Sequence, residues 1–149
     1  MKLFIACDHA AFKEKSELIS YLKNNFPKIE IEDLGANSEE SVHYPSYAQD
    51  VCTKLLKTPG SRGILLCGTG IGMCIVANKF RGIRASLVHT VEEAKLTREH
   101  NDSNVLCLGS RTISLPTICE ATKAWLTTDF AGGRHQARLD LFKNLGEPL

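Results

Sequence analysis

Gly63-Ile64-Leu65-Leu66-Cys67-Gly68-Thr69-Gly70-Ile71-Gly72-Met73-Cys74 is the stretch that decides the fold. An apolar run the length of a buried strand passes into alternating glycines, then into residues of helical period. Glycines at 68, 70 and 72 let the backbone turn tightly and present its N–H groups outward. A helix N-terminus behind them completes a cradle for negative charge. A dinucleotide fingerprint would need glycine at position 73, and a cysteine phosphatase loop would need arginine there, but Met73 occupies it. No Gly-Lys-Ser/Thr follows, so a Walker loop is excluded too. What remains is an anion cradle with a thiol, Cys67, at its mouth and a hydroxyl, Thr69, inside.

Outward from this stretch the same alternation repeats. Strands are expected at Lys2–Cys7, Ile29–Leu34, Gly63–Leu66, Arg84–Val88 and Val105–Leu108. Helices are expected at Phe12–Phe26, Tyr44–Leu56, Gly72–Lys79, Val91–His100, Leu115–Leu126 and His135–Leu145. Strands that alternate with helices imply right-handed crossovers and a parallel sheet with helices on both faces. The expected architecture is therefore an α/β protein: a single three-layer α/β/α domain over residues 1–149, with a five-stranded, parallel, Rossmann-like sheet. Ligands of such sheets bind beyond the carboxyl ends of the strands.

Composition narrows the function. The chain has 149 residues, 43% hydrophobic and 23% charged, with 18 basic and 17 acidic side chains and a net charge of +1. That balance argues against a nucleic-acid partner and against a disordered acidic segment. No apolar run approaches the roughly 20 residues that span a bilayer, so no membrane partner is expected. The N-terminal run meets Asp8 too early for a signal-peptide core, which points to the cytoplasm. The six cysteines are Cys7, Cys52, Cys67, Cys74, Cys107 and Cys119. They include no Cys-x-x-Cys pair, so neither a zinc site nor disulfides are expected, and most read as small buried hydrophobes.

Cys67 is the exception. A helix dipole and loop N–H groups favour its thiolate, which makes it a candidate nucleophile or base. A core cysteine at a tight turn is the plainer alternative, but a simple strand–helix connection does not need three glycines in five residues. Asp8-His9 follows the first strand, where Asp8 either caps a helix or binds a sugar hydroxyl beside a phosphate. His100, within Arg98-Glu99-His100-Asn101-Asp102, is suited to proton transfer, or to a helix C-terminus. His43 and His89 lack comparable company. Arg134 and Arg138 share a helix face and repel unless an anion lies between them or acids pair with them elsewhere. Arg111, after the fifth strand, would add a third clamp. Together these residues fit a small phosphorylated substrate, a thiolate base and a histidine acid/base, with no metal or redox cofactor. The chemistry they fit is aldose–ketose isomerisation through an enediolate.

The chain resembles the B-type ribose-5-phosphate isomerases, a family that also contains the galactose-6-phosphate isomerase subunits. The resemblance runs nearly end to end. It lies in Cys7-Asp8-His9-Ala10, Asp33-Leu34-Gly35, Tyr44-Pro45, Cys67 to Gly72, Ala77-Asn78-Lys79-Phe80, Gly82-Ile83-Arg84-Ala85, Arg98 to Asp102, Gly109-Ser110-Arg111 and Gly132-Gly133-Arg134-His135-Gln136. It implies interconversion of ribose 5-phosphate and ribulose 5-phosphate in the pentose phosphate pathway. It also implies a homodimer or homotetramer with sites at the subunit interface. By this resemblance Cys67 is the base between C1 and C2, and Thr69 assists proton movement between the oxygens. The backbone of Gly68, Thr69, Gly70, Ile71 and Gly72 holds the enediolate oxygen. His100 opens the furanose ring with Asp8 and Tyr44. His9, Arg111, Arg134 and Arg138 hold the phosphate, and Asn101 a sugar hydroxyl. One branch of the family lacks the cysteine and carries glutamate where Met73 stands, so this chain resembles the cysteine-using branch. The rival readings are an isomerase of allose or galactose 6-phosphate, a non-catalytic phosphate- or nucleotide-binding module, and a metal-dependent isomerase using Cys67, His100 and Asp8.

Overall fold

Strand residues that alternate between two apolar faces need cover on both. The computed structural model describes residues 1–148. In it β1 (Lys2–Cys7), β2 (Glu30–Asp33), β3 (Arg62–Cys67), β4 (Ala85–Leu87) and β5 (Val105–Gly109) pair in the order β2-β1-β3-β5-β4, every pair parallel. Leu3, Ile5, Ile64, Leu66, Leu106 and Leu108 enter one core, and Phe4, Ala6, Leu65, Cys67, Val105 and Cys107 enter the other.

Helices α1 (Phe12–Asn25), α4 (Val91–Asn101) and α5 (Leu115–Thr127) cover the first face through Leu18, Leu22, Ala94, Ile118, Ala121 and Trp125. Trp125 is fully buried and donates its indole N–H to Ser103 Oγ at 2.7 Å. Helices α2 (Tyr44–Leu56) and α3 (Ile71–Ala77) cover the second face through Ala48, Val51, Cys52, Leu55, Met73 and Ala77. Helix α6 (Arg134–Asp140) lies against α4 and buries only Leu139.

The central strands match expectation to within a residue. The two edge strands are shorter than expected: β2 keeps Glu30–Asp33 of the expected 29–34, and β4 keeps Ala85–Leu87 of 84–88. Each has a neighbour on one side only, and none of their residues is fully buried. Helix α6 was expected to run to Leu145 but ends at Asp140. Leu141 and Leu145 are 84% and 70% exposed, so no apolar face holds another turn in place. A 3₁₀ turn at His9–Ala11, absent from the sequence expectation, precedes α1.

Strand β1 has β2 on one side and β3 on the other, so the connections leave this gap in opposite directions. That is the topological switch point, where α/β sheets bind ligands. Asp8 N–H donates to the Leu66 carbonyl at 3.1 Å across the gap.

Candidate active site

The residues that follow β1, β3 and β5 converge at this switch point. Cys67 ends β3, is 5% exposed, and accepts the Gly70 N–H on Sγ at 3.0 Å. Gly70 starts α3 at φ +76°, and a Cβ there would lie 2.5 Å from Leu87 Cδ1 and 2.9 Å from the Leu108 carbonyl carbon. Only glycine fits this conformation and this approach, which explains the residue type. Thr69 Oγ1 accepts the Ile71 N–H at 3.3 Å, so the hydroxyl lies within the cradle.

The neighbours expected at the cradle are there. Asp8 Oδ1 accepts the Ala10 N–H at 2.9 Å and caps the 3₁₀ turn. His9 Nδ1 accepts the Val42 N–H at 3.3 Å, which ties it to the loop leading into α2. Tyr44 packs on the glycine loop closely enough that a Cβ on Gly72 would lie 2.7 Å from its ring. The Arg111 side chain lies beside Gly68, and the Arg111 backbone N–H donates to the Gly68 carbonyl at 2.9 Å. Asp8, His9, Tyr44, Cys67, Gly68 to Gly72 and Arg111 therefore form one cluster.

The other expected residues form a second cluster, at the opposite ends of the strands. Helix α4 leaves the carboxyl end of β4 and runs back, so His100 and Asn101 lie near the starts of the strands. Two contacts fix that end: Gly63 N–H donates to the Asn104 carbonyl at 2.9 Å, and Arg84 Nε donates to the Asp102 carbonyl at 2.9 Å. The His100 and His135 rings stack with centroids 4.4 Å apart, and Ala131 N–H donates to the Glu99 carbonyl at 3.0 Å, which brings α6 to this end of the sheet. Among the described residues no carboxylate pairs with Arg111, Arg134 or Arg138. Desolvation, followed by the charges of His100, Arg134 and Arg138, lowers the pKa of His135. This end of the molecule carries an exposed basic patch.

Two residues carry more than the sequence indicated. His135 lay in a quoted motif but was given no role, and its stacking on His100 places it in the basic cluster. Cys74 read as a core thiol. It sits on α3 one turn past the cradle, and hydrogen bonding from the Cys107 thiol, then from the Leu87 backbone and Asn78, brings its pKa down to about 7. Burial instead pushes Cys7 up to about 11 and Cys52 up to about 12. The opposite displacement of Cys74 depends on Cys107, which is distant in the chain. Among the described residues no group of three or more His, Cys, Asp or Glu could hold a metal. No described helix is long and apolar enough to cross a membrane.

A parallel α/β sheet with a glycine cradle and a thiol at its switch point, and a separate basic patch, defines a protein built for small anionic substrates. The chain belongs to the Ribose/Galactose Isomerase family, which matches residues 3–142. It is 41% identical over 139 residues to ribose-5-phosphate isomerase B of Escherichia coli, covering 93% of this chain and 92% of that protein. A ribose 5-phosphate isomerase of Thermotoga maritima superposes with a TM-score of 0.91 at 44% identity, covering 97% of this chain and 98% of that one. Ribose-5-phosphate isomerase B of Mycoplasma genitalium, solved with bound ribulose-5-phosphate, superposes with a TM-score of 0.90 at 38% identity, over 95% of this chain and 93% of that one. The resemblance and the fold read from the motifs are thus borne out.

Proposed function

We propose that this chain is one isomerase domain that interconverts D-ribose 5-phosphate and D-ribulose 5-phosphate through an enediolate. The observation that carries it is Cys67 Sγ held by the Gly70 N–H at 3.0 Å in a cradle at the switch point. Cys67 removes the proton on C2 of the open-chain aldose, and the electron pair moves to form C1=C2 and an oxyanion on O1. Loop N–H groups of residues 68–72 stabilise that charge in place of water. The thiol then returns its proton to C1, and the O2 hydroxyl proton passes to O1 by way of Thr69. The product is the 2-ketose. No cofactor enters this sequence.

The phosphate and the ring-opening histidine need the other cluster. Helix α4 spans about 16 Å, much longer than a five-carbon sugar, so one copy does not present both clusters to one substrate. The site is completed by a second copy in a homodimer or dimer of dimers. One subunit supplies Asp8, His9, Tyr44, Cys67, the cradle and Arg111, and its partner supplies His100, Asn101, Arg134 and Arg138. Ile71 and Ile75 on α3, 50% and 57% exposed beside the cradle, support an interface there. A cytosolic setting accords with six free thiols.

Turnover of ribose 5-phosphate, allose 6-phosphate and galactose 6-phosphate, each with and without chelator, tests this function. The pentose should be preferred and chelator should have no effect. Preference for a hexose would reassign the substrate, loss with chelator would restore the metal mechanism, and no turnover of any would leave a binding module.

A further inference from the structure

A cavity of about 540 Å³ opens between the turn that follows α2 and the C-terminal end of α4. Arg62, Arg84 and Arg98 all line it, with Asp102 the single carboxylate in its wall. Arg134 and Arg138 do not line it, and neither does any residue of the cradle.

Hydrogen bonds occupy only part of the three guanidinium forks. Arg62 donates from Nη1 to the Trp125 and Leu126 carbonyls at 3.1 and 3.3 Å. Arg84 donates from Nε and Nη2 to the carbonyl and carboxylate of Asp102 at 2.9 and 2.7 Å. Arg98, only 6% exposed, donates from Nη1 to the Asp102 carboxylate and the Ser103 carbonyl at 2.8 and 2.6 Å. Among the described residues, Nε and Nη2 of Arg62, Nη1 of Arg84 and Nη2 of Arg98 have no protein acceptor, and Arg98 Nε is buried without one. Burial, then the charge of Arg98, lowers the pKa of Arg62, with Asp102 and Asp129 opposing. Unused donors from three forks around one cavity match the several oxygens of a phosphate.

We propose that this cavity binds a phosphate-class oxyanion, at a site separate from the one that holds Cys67. Equilibrium dialysis against inorganic phosphate tests it, with turnover measured in parallel in phosphate-free buffer. Arg62→Gln should bind one phosphate fewer per chain than the wild type while its turnover stays within about twofold. Arg62→Lys keeps the charge but loses the fork, and should weaken that phosphate at least fivefold; it stands in if Arg62→Gln does not fold. Repeating the wild-type dialysis with ribulose 5-phosphate identifies the source: displacement of one phosphate leaves the free ion as the occupant, and displacement of both shows that phosphate monoesters enter too. Equal phosphate counts and affinities in wild type, Arg62→Gln and Arg62→Lys would overturn the proposal. Failure of the isomerase function would appear separately, as absent turnover, while the difference between wild type and Arg62→Gln still decides the cavity.

Discussion

Cys67 and His100 divide the proposed reaction between carbon and oxygen, and an isotope experiment separates them. Ribulose 5-phosphate has its C5 oxygen esterified and cannot close a furanose ring, so proton removal from its C1 needs no ring opening. In deuterated water Cys67→Ala should lose both C1 exchange into ribulose 5-phosphate and net conversion of ribose 5-phosphate, by about 10³, while still binding phosphosugar. His100→Asn should lose at least tenfold in net conversion while exchange stays within about threefold. Parallel loss of exchange and conversion in His100→Asn would remove the ring-opening role. Full activity of Cys67→Ala would remove the thiolate mechanism. The sequence singles out both candidates by position: Cys67 ends an apolar strand before alternating glycines, and His100 stands before Asn101-Asp102 at a helix end. The lowered thiol of Cys74 was not legible, because its cause is a contact with Cys107 across the second core.

Helix α4 ends in a structure that holds His100 and Asn101 in place. Its C-cap, Asp102, adopts the left-handed region at φ 46°. The Asp102 carboxylate accepts from Arg84 and Arg98 at 2.7 and 2.8 Å, which offsets the strain of that conformation. Asp102→Ala removes the carboxylate and keeps the strain. It should destabilise the protein by about 1–3 kcal/mol. Asp102→Gly removes the carboxylate and relieves the backbone, and should cost about 1 kcal/mol less. Urea denaturation of the two variants measures the difference, and identical midpoints would show that the backbone is not strained. Helix α4 was legible from its helical period, and the structure adds the capping box of Thr90 and Glu93 that fixes its start. Strands β1, β3 and β5 were legible because both faces are buried. The edges were less so: β2 reads Glu30-Ile31-Glu32-Asp33, a pattern that pairing on one side tolerates. The overshoot in α6 has the same origin, since Leu141, Phe142 and Leu145 look like a helical stripe in sequence but have no core to face.

Across the whole molecule the two clusters sit at opposite ends of the strands of one sheet, and their separation follows from connectivity. A helix after a parallel strand must run back, so motifs that follow strands and motifs that follow or end the returning helices fall at opposite strand ends. The sequence motifs single out the candidate residues, and the strand order separates Arg134 and Arg138 from the cradle within one copy. A composite site makes a prediction that a self-contained subunit does not. As pure homodimers, Cys67→Ala and His100→Asn should each lose at least tenfold in conversion of ribose 5-phosphate, because every site in each carries one defect. Unfolding and refolding the two together at equal concentration should make half of the dimers mixed. In each mixed dimer one site receives both substitutions and the other receives neither. About a quarter of wild-type activity should then return, as two-fold symmetry requires. A pair of dimers that share no sites gives the same fraction, so the result does not depend on the final assembly. If each subunit held a complete site, mixing would restore nothing, and the opposed placement of Cys67 and His100 would need a different explanation.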